Sequence, residues 1–237
     1  VYSSSPNGSY TTDDTIGILV EFNQDVYVDG EMFLELNTNQ QAEYQGHFLV
    51  NGQEVFNTLY FTYTVQQGDS SDRLDYIDID SLILGENSYI INQDYVLADL
   101  SLPEAAQQGS LGANSYIIVD TKIPEVNESI PTNNSPGIYI ASNLEITFDD
   151  IVEFNKGKIV ITKAEDGTHF ETIFDNDNRI SGTGTKKITI DPYQVFEPAT
   201  EYIVSVDEGT FVDYAGNECL AIENWTFTTE DGIITDN

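Results

Sequence analysis

Short runs of alternating apolar and polar residues, separated by turn residues about every ten positions, restrict the fold of this chain more than any other feature. Successive side chains of a strand point to opposite faces of a sheet, so each run predicts a strand with one buried face. Asn51-Gly52, between two apolar runs, predicts a tight hairpin turn. Only the short segment 104–108 has helical character. The pattern predicts an all-β protein built from β-sandwiches.

The expected strands divide between the two halves of the chain. In the first half they are 15–22, 31–37, 42–46, 47–50, 58–65, 82–84, 96–102 and 116–119. In the second half they are 144–148, 158–161, 187–190, 201–206 and 225–228, and the polar run 175–178 is expected to form the end of a hairpin.

The segment 118–126 predicts a domain boundary, because a strand pattern ends there and Pro124 favours an extended path in the residue before it. We expect one domain over residues 1–123 and a second over residues 124–237. The halves also resemble each other, since 18–26 is similar in pattern to 144–152. A weak internal repeat of this size predicts two tandem β-sandwich domains, each with its own core.

The charge of the chain limits its partners. It has 41 acidic and 8 basic side chains, for a formal net charge of -33. Nucleic acids and anionic lipid surfaces both require clusters of Lys and Arg, which are absent, so neither is an expected partner. No apolar run approaches membrane-spanning length, so membrane insertion is not expected either. Bound divalent cations or salt would relieve the self-repulsion, which favours an extracellular or saline setting.

The chain has too few cysteines for a disulfide or a multi-cysteine metal site. Cys219 is the single cysteine, which excludes an internal disulfide and a multi-cysteine zinc site. A catalytic nucleophile is the alternative to the small, inert thiol in a mostly apolar strand that we expect there.

An acidic tract follows the expected strand 58–65. Five aspartates fall between positions 69 and 80, and three of them are spaced three apart: Asp69, Asp72 and Asp75. Carboxylate oxygens suit calcium, which takes about 6–8 oxygen ligands in irregular geometry. A solvated acidic loop is the alternative, since the spacing does not match an EF-hand. Both interpretations remain open from the residues alone.

Several motifs carry a resemblance to known families. The first half is similar to the bacterial Ig-like or cadherin-like repeats of large surface adhesins, through 59–69, 100–103, 110–114 and 118–121. The second half resembles another bacterial Ig-like family, through 144–150, 202–204 and the Asp-x-Ala-Gly-Asn segment 213–217. The resemblance implies a spacer or adhesion module outside the cell, stiffened by calcium at loops and domain junctions, with neighbouring repeat domains of the same chain as partners.

Five further residues are candidate calcium ligands on this basis: Asp120, Asp149, Asp150, Asp213 and Asn217. Asp120 falls at the expected domain junction, where a metal would fix the angle between modules. The alternative for Asp120 is a local turn-capping role, because Asp often bonds to its own backbone. For Asn217, a turn that needs positive φ at Gly216 is the specific alternative.

We expect no catalysis. The chain has no Gly-x-Ser-x-Gly elbow, no His-Glu-x-x-His and no phosphate-binding glycine loop, and its two histidines, His47 and His169, lie in unrelated contexts. A carbohydrate-binding accessory module is the rival function, with a cell-surface glycan or protein as ligand. Exposure of Tyr27, Tyr60 or Tyr63 would favour it, whereas Trp225 is expected to pack inside. The expected assembly is a monomer.

Overall fold

The chain divides into two compact units. A computed structural model gives the structure of residues 1–174 and 177–232, with one unit over 1–121 and the other from residue 122 onward. This division lies two residues before the expected boundary between 123 and 124. The expected hairpin end at 175–178 lies partly outside the described residues, because positions 175 and 176 are not among them.

The first unit is built from eleven strands and one short helix. The elements are β1 (Tyr2–Ser3), β2 (Gly8–Tyr10), β3 (Thr15–Glu21), β4 (Val26–Asp29), β5 (Met32–Glu35), β6 (Gln41–Val50), β7 (Gln53–Thr64), β8 (Ser70–Ser71), β9 (Leu82–Leu84), β10 (Tyr89–Asn92), α1 (Leu111–Asn114) and β11 (Ile117–Asp120).

Three sheets enclose the core of this unit. The largest has the order β1-β3-β7-β6-β5-β9, β4 pairs with β10, and β11 lies between β2 and β8. The core contains the alternating inward side chains of these strands, among them Ile18, Phe61 and Tyr63, each exposed by 1% or less. Asn51 and Gly52 join β6 to β7 with φ of 52° and 79°. Both values are positive, as a tight hairpin turn of this twist requires, so the hairpin prediction is confirmed.

The described residues of the second unit form ten strands. They are β12 (Val126–Ile130), β13 (Ser135–Ile138), β14 (Leu144–Phe154), β15 (Lys158–Lys163), β16 (His169–Phe174), β17 (Ile180–Ser181), β18 (Thr185–Ile190), β19 (Glu201–Val206), β20 (Phe211–Val212) and β21 (Ile222–Thr229). One sheet has the order β12-β14-β18-β17, with β20 also paired to β14, and the other has the order β13-β21-β19-β15-β16.

The core of the second unit has its own apolar cluster, which includes Phe148, Tyr202 and Trp225. Trp225 is 3% exposed and its indole N–H donates to the carbonyl oxygen of Pro131 at 2.7 Å. Its expected position inside the last strand is therefore confirmed. A buried indole needs such a hydrogen-bond partner, because an unpaired polar group in the core is costly.

Two expected elements are wrong. Residues 96–102 form no strand: Leu97 makes an isolated bridge to Ile91, and Asp99 accepts a hydrogen bond from the Ser101 amide at 3.0 Å, closing a local turn. Such side-chain turns compete with ladder pairing, and Leu97 is left 71% exposed. Residues 104–108 form turns rather than a helix, since Ala106 has a φ of 61°.

The similar segments occupy similar places in their sheets. β3 carries the first and lies between β1 and β7, while β14 carries the second and lies between β12 and β18. All four pairings are antiparallel. Each segment therefore forms an inner strand beside the first strand of its unit.

Candidate metal centre

A bulge in β14 presents Asp149 and Asp150. Thr147 pairs with Lys187 of β18, but the next pair joins Val152 to Thr185, so four residues of β14 face one residue of β18. Extra residues in one strand disrupt the ladder and redirect side chains, and such bulges are frequent beside functional sites. Beyond the bulge, Glu153 and Phe154 pair with β20, which ends at Val212. The pairing brings residue 213 beside the bulge.

The Asp-x-Ala-Gly-Asn segment folds around the carboxylate of Asp213. Its Oδ1 accepts hydrogen bonds from the amides of Ala215 at 2.8 Å and Asn217 at 2.9 Å, and its Oδ2 accepts one from the Asn217 Nδ2 at 2.8 Å. Gly216 has a φ of 96°, a conformation that favours glycine. Asp213 and Asn217 are each 6% exposed. The motif therefore fixes a buried carboxylate at a defined position.

Asp150 lies next to this carboxylate. Carboxylate oxygens of Asp150 and Asp213 come within 4.8 Å of each other. Asp150 Oδ1 also accepts the amide of Ile151 at 2.6 Å. Two carboxylates at this distance repel, and a shared hard cation would convert the repulsion into attraction. The bulge and the loop thus bring Asp150, Asp213 and Asn217 together, three of the predicted ligands.

Asp149 points into a different set of contacts. Its Oδ2 pairs with the ammonium of Lys122, and its Oδ1 accepts the amide of Glu125 at 2.8 Å. The hydrogen bond from Lys122, with that of the Glu125 amide, holds the pKa of the Asp149 carboxyl below its usual range. Asp149 therefore ties the first residues of its unit to β14.

The acidic tract of the first unit separates its aspartates. Asp69 is buried and accepts hydrogen bonds from the Tyr63 hydroxyl at 2.6 Å, the Gln66 amide at 2.7 Å and the Gln40 Nε2 at 3.0 Å. Asp72 is exposed. Within 1–174 and 177–232, the carboxylates of 69, 72 and 75 do not form a group with ligand atoms within 4.8 Å of one another.

Asp75 has a hydrogen-bond network of its own. Its Oδ2 accepts from the Ala106 amide and the Ser110 hydroxyl, both at 2.9 Å, and its Oδ1 accepts from the Tyr76 amide at 2.9 Å. Ser110 in turn caps α1 by accepting the Ala113 amide at 3.1 Å. Asp75 thus organises the loop before β11. The carboxylates of both buried aspartates of the tract, Asp69 and Asp75, accept hydrogen bonds from protein donors. The spacing of the aspartates in the sequence does not reveal this structural role.

Asp120 and Cys219 complete the predicted positions. Asp120 is the last residue of β11 and pairs with Ser70 of β8. Cys219 is buried, and this burial raises the pKa of its thiol, which suppresses the reactive thiolate.

Among the described residues, none of the helices has the length and apolar character needed to cross a bilayer.

Two all-β units with separate cores, each built on mainly antiparallel sheets that include one parallel pair (β2–β11 and β13–β21), define the chain as a tandem of Ig-like β-sandwiches. Residues 120–229 match the family model of a bacterial Ig-like domain. The match covers nearly all of the described second unit and includes the Asp-x-Ala-Gly-Asn segment.

Solved structures show distant likeness. CopC from Methylosinus trichosporium OB3b is 14% identical, with 46% of this chain and 95% of that chain covered and a TM-score of 0.37. The N-terminal part of the bacterial S-layer protein SbsC is 18% identical, with 46% and 24% covered and a TM-score of 0.34. The surface glycan-binding protein PbSGBP-B from Prevotella bryantii is 13% identical, with 92% and 37% covered and a TM-score of 0.24. No curated protein matches the chain.

Proposed function

We propose that this chain is a non-catalytic, extracellular part of a larger bacterial surface or secreted protein, and that calcium stiffens it as a spacer or adhesion module. The proposal rests on one observation: carboxylate oxygens of Asp150 and Asp213 lie within 4.8 Å of each other, and the 213–217 loop closes around the Asp213 carboxylate. The match of residues 120–229 to a bacterial Ig-like domain supports the bacterial part of the proposal.

Charge supports calcium as the cation. A protein with a formal net charge of -33 gains from any bound divalent ion, because self-repulsion opposes its compact state. The ligands on offer are oxygens of carboxylates and an amide, which suit calcium and not a soft transition metal. The neighbouring backbone carbonyls and water would complete the shell of about 6–8 oxygens.

The mechanism is electrostatic and mechanical. Calcium would neutralise the Asp150–Asp213 pair and hold the bulge of β14 against the 213–217 loop. Metal binding favours whichever state orders its ligands, so the bound ion would limit motion of the bulge and the loop.

Isothermal calorimetry with calcium tests the proposal. Extracellular calcium modules bind with dissociation constants of about 10⁻⁴–10⁻³ M, and we expect a saturable heat in this range. Asp150→Asn and Asp213→Asn should each weaken binding, whereas Asp191→Asn, an exposed carboxylate of the same unit, serves as the matched control and should not. Absence of heat in the wild-type chain would refute the calcium assignment.

Variants locate any first-unit site. If Asp69→Asn or Asp72→Asn reduces the number of bound ions, the acidic tract binds calcium as the sequence predicts. If calcium binding is unchanged in both variants, Asp69 has only a structural role, as the acceptor for the protein donors around it.

A further inference from the structure

A cluster of exposed aromatic rings lies on the outer face of the β4–β10 pair. In this pair Tyr27 faces Ile91, and Asp29 faces Tyr89. Val26 and Ile90, on the opposite face, are each 1% exposed and belong to the core. Because neighbouring residues of a strand alternate between faces, Tyr27, Asp29 and Tyr89 all lie on the solvent side. Tyr27 and Tyr89 are 42% and 40% exposed.

The β6–β7 hairpin adds a third ring. The register shifts where His47 pairs with Leu59 and Phe48 with Val55, which leaves Phe56 in a bulge of β7. The Phe56 ring lies 5.8 Å from that of Tyr27 and 5.2 Å from that of His47, between centroids. The Nε2 of His47 lies 2.9 Å from the carbonyl oxygen of Val26, which fixes the hairpin beside β4. Phe56 is 38% exposed.

Exposed aromatic rings gathered on one face of two strands form a candidate binding surface, because contiguous apolar patches on soluble proteins mark interaction sites. Tyr63, by contrast, is 1% exposed and pairs with Asp69, so it takes no part. The alternation of the strands would be equally satisfied by polar residues at positions 27, 56 and 89.

Charge selects the class of ligand. Residues 1–121 contain 19 acidic side chains and a single basic one, Arg73. Nucleic acids, acidic polysaccharides and anionic lipids would meet repulsion at this unit. Next to the rings, Asp29 lies opposite Tyr89 in the β4–β10 ladder, and its carboxylate raises the pKa of the Tyr89 hydroxyl. A ligand with hydroxyl donors along its edge and apolar C–H faces would satisfy both the carboxylate and the rings.

We propose that Tyr27, Phe56 and Tyr89, here called the aromatic face, stack against the rings of an uncharged glycan, while Asp29 accepts a hydroxyl of the same sugar chain. This site is separate from the calcium proposal, since it uses the first unit and none of the predicted calcium ligands. It gives the exposed Tyr27 a specific role in the carbohydrate-binding alternative.

Affinity electrophoresis tests the proposal, because so acidic a chain migrates strongly in native gels. The probes are four uncharged polysaccharides cast in the gel: mannan, xylan, hydroxyethylcellulose and laminarin. We expect at least one to retard the wild-type chain. Tyr27→Ala and Phe56→Ala should each weaken the retardation about tenfold in apparent affinity, as loss of a stacked ring implies. Tyr139→Ala removes an exposed ring of the second unit and is the matched control.

Three results would overturn the proposal. These are no retardation by any of the four polymers, equal retardation of Tyr27→Ala and wild type, and binding to polylysine that 0.5 M NaCl abolishes while the glycans remain inert. The last would assign the aromatic face to a basic protein partner. Repeating the gels with calcium and with a chelator separates the two proposals, since glycan retardation should be the same in both. Circular dichroism confirms that each variant is folded.

Discussion

Asp150→Asn should stabilise the second unit when calcium is absent and remove its response when calcium is present. The substitution keeps the shape of the side chain and the acceptor oxygen that binds the Ile151 amide at 2.6 Å. It removes one of the two charges that meet beside the β14 bulge. The opposite signs in chelator and in calcium make this variant informative, because a purely structural aspartate would show neither.

The magnitude follows from the distance between the carboxylates. Two unit charges within 4.8 Å of each other repel by at least about 3.5 kcal/mol at an effective dielectric constant of 20. Asp150 is partly exposed, so water and salt reduce this figure to about 1–2 kcal/mol. For a unit of this size, a gain of about 1 kcal/mol raises the melting temperature by roughly 4 °C. We therefore expect the melting temperature in chelator to rise by roughly 4–8 °C.

Fluorescence of Trp225 provides the assay. It is the single tryptophan of the chain and lies in the core of the second unit, so its emission reports the unfolding of that unit alone. Thermal melts of wild type and Asp150→Asn are compared in chelator, at about 20 mM and at about 1 M NaCl, where the Debye length falls to about 3 Å. The difference should shrink in high salt. An unchanged or lowered melting temperature in chelator would refute the repulsion argument.

Three further predictions concern the rest of the molecule. Tyr63→Phe removes the 2.6 Å hydrogen bond to the buried Asp69. It should lower the free energy of unfolding of the first unit by about 1–3 kcal/mol, measured by urea denaturation followed by circular dichroism. An unchanged midpoint of the urea transition would contradict this prediction. Burial raises the pKa of Tyr63, and it raises the pKa of Tyr76 to about 12, above the unfolded value of about 10. The first unit should therefore lose stability as the pH rises from about 10 to 12, and it should lose no stability below about pH 10. A flat stability profile across about pH 9–12 would count against this prediction. Arg179→Lys replaces a guanidinium that pairs with both Glu171 and Asp177 and donates to the Thr172 carbonyl oxygen at 3.0 Å. The substitution should lower the free energy of unfolding of the second unit by about 2–4 kcal/mol in the Trp225 assay. An effect below about 0.5 kcal/mol would show that a point charge at this position is sufficient.

The sequence predicts the fold class well because alternation and turn residues act locally. The hairpin at Asn51-Gly52 and the strand 201–206 follow directly from these rules. The failure at 96–102 has the same local origin. Its apolar residues suggest a strand, but the turn at Asp99 competes with the ladder, and no residue pattern shows which of the two is favoured.

The candidate site could be predicted only in part. Asp213 and Asn217 are recognisable as a motif, and their contact is local in the chain. The approach of Asp150 depends on the bulge between Thr147 and Val152 and on the pairing of β14 with β20, both of which are tertiary features. Spacing alone also gives Asp69 and Asp75 equal standing as ligands, whereas their burial among protein donors appears only in the folded chain.

Small-angle scattering of the whole chain in calcium and in chelator, with Trp225 emission recorded on the same samples, tests whether calcium stiffens the chain. We expect a narrower distribution of interatomic distances in calcium, with a Trp225 spectrum that does not change because the core stays folded. Asp213→Asn should show the chelator distribution in both conditions, while Asp191→Asn should behave as wild type. Identical scattering of the wild-type chain with and without calcium would contradict the proposed calcium-stiffened module.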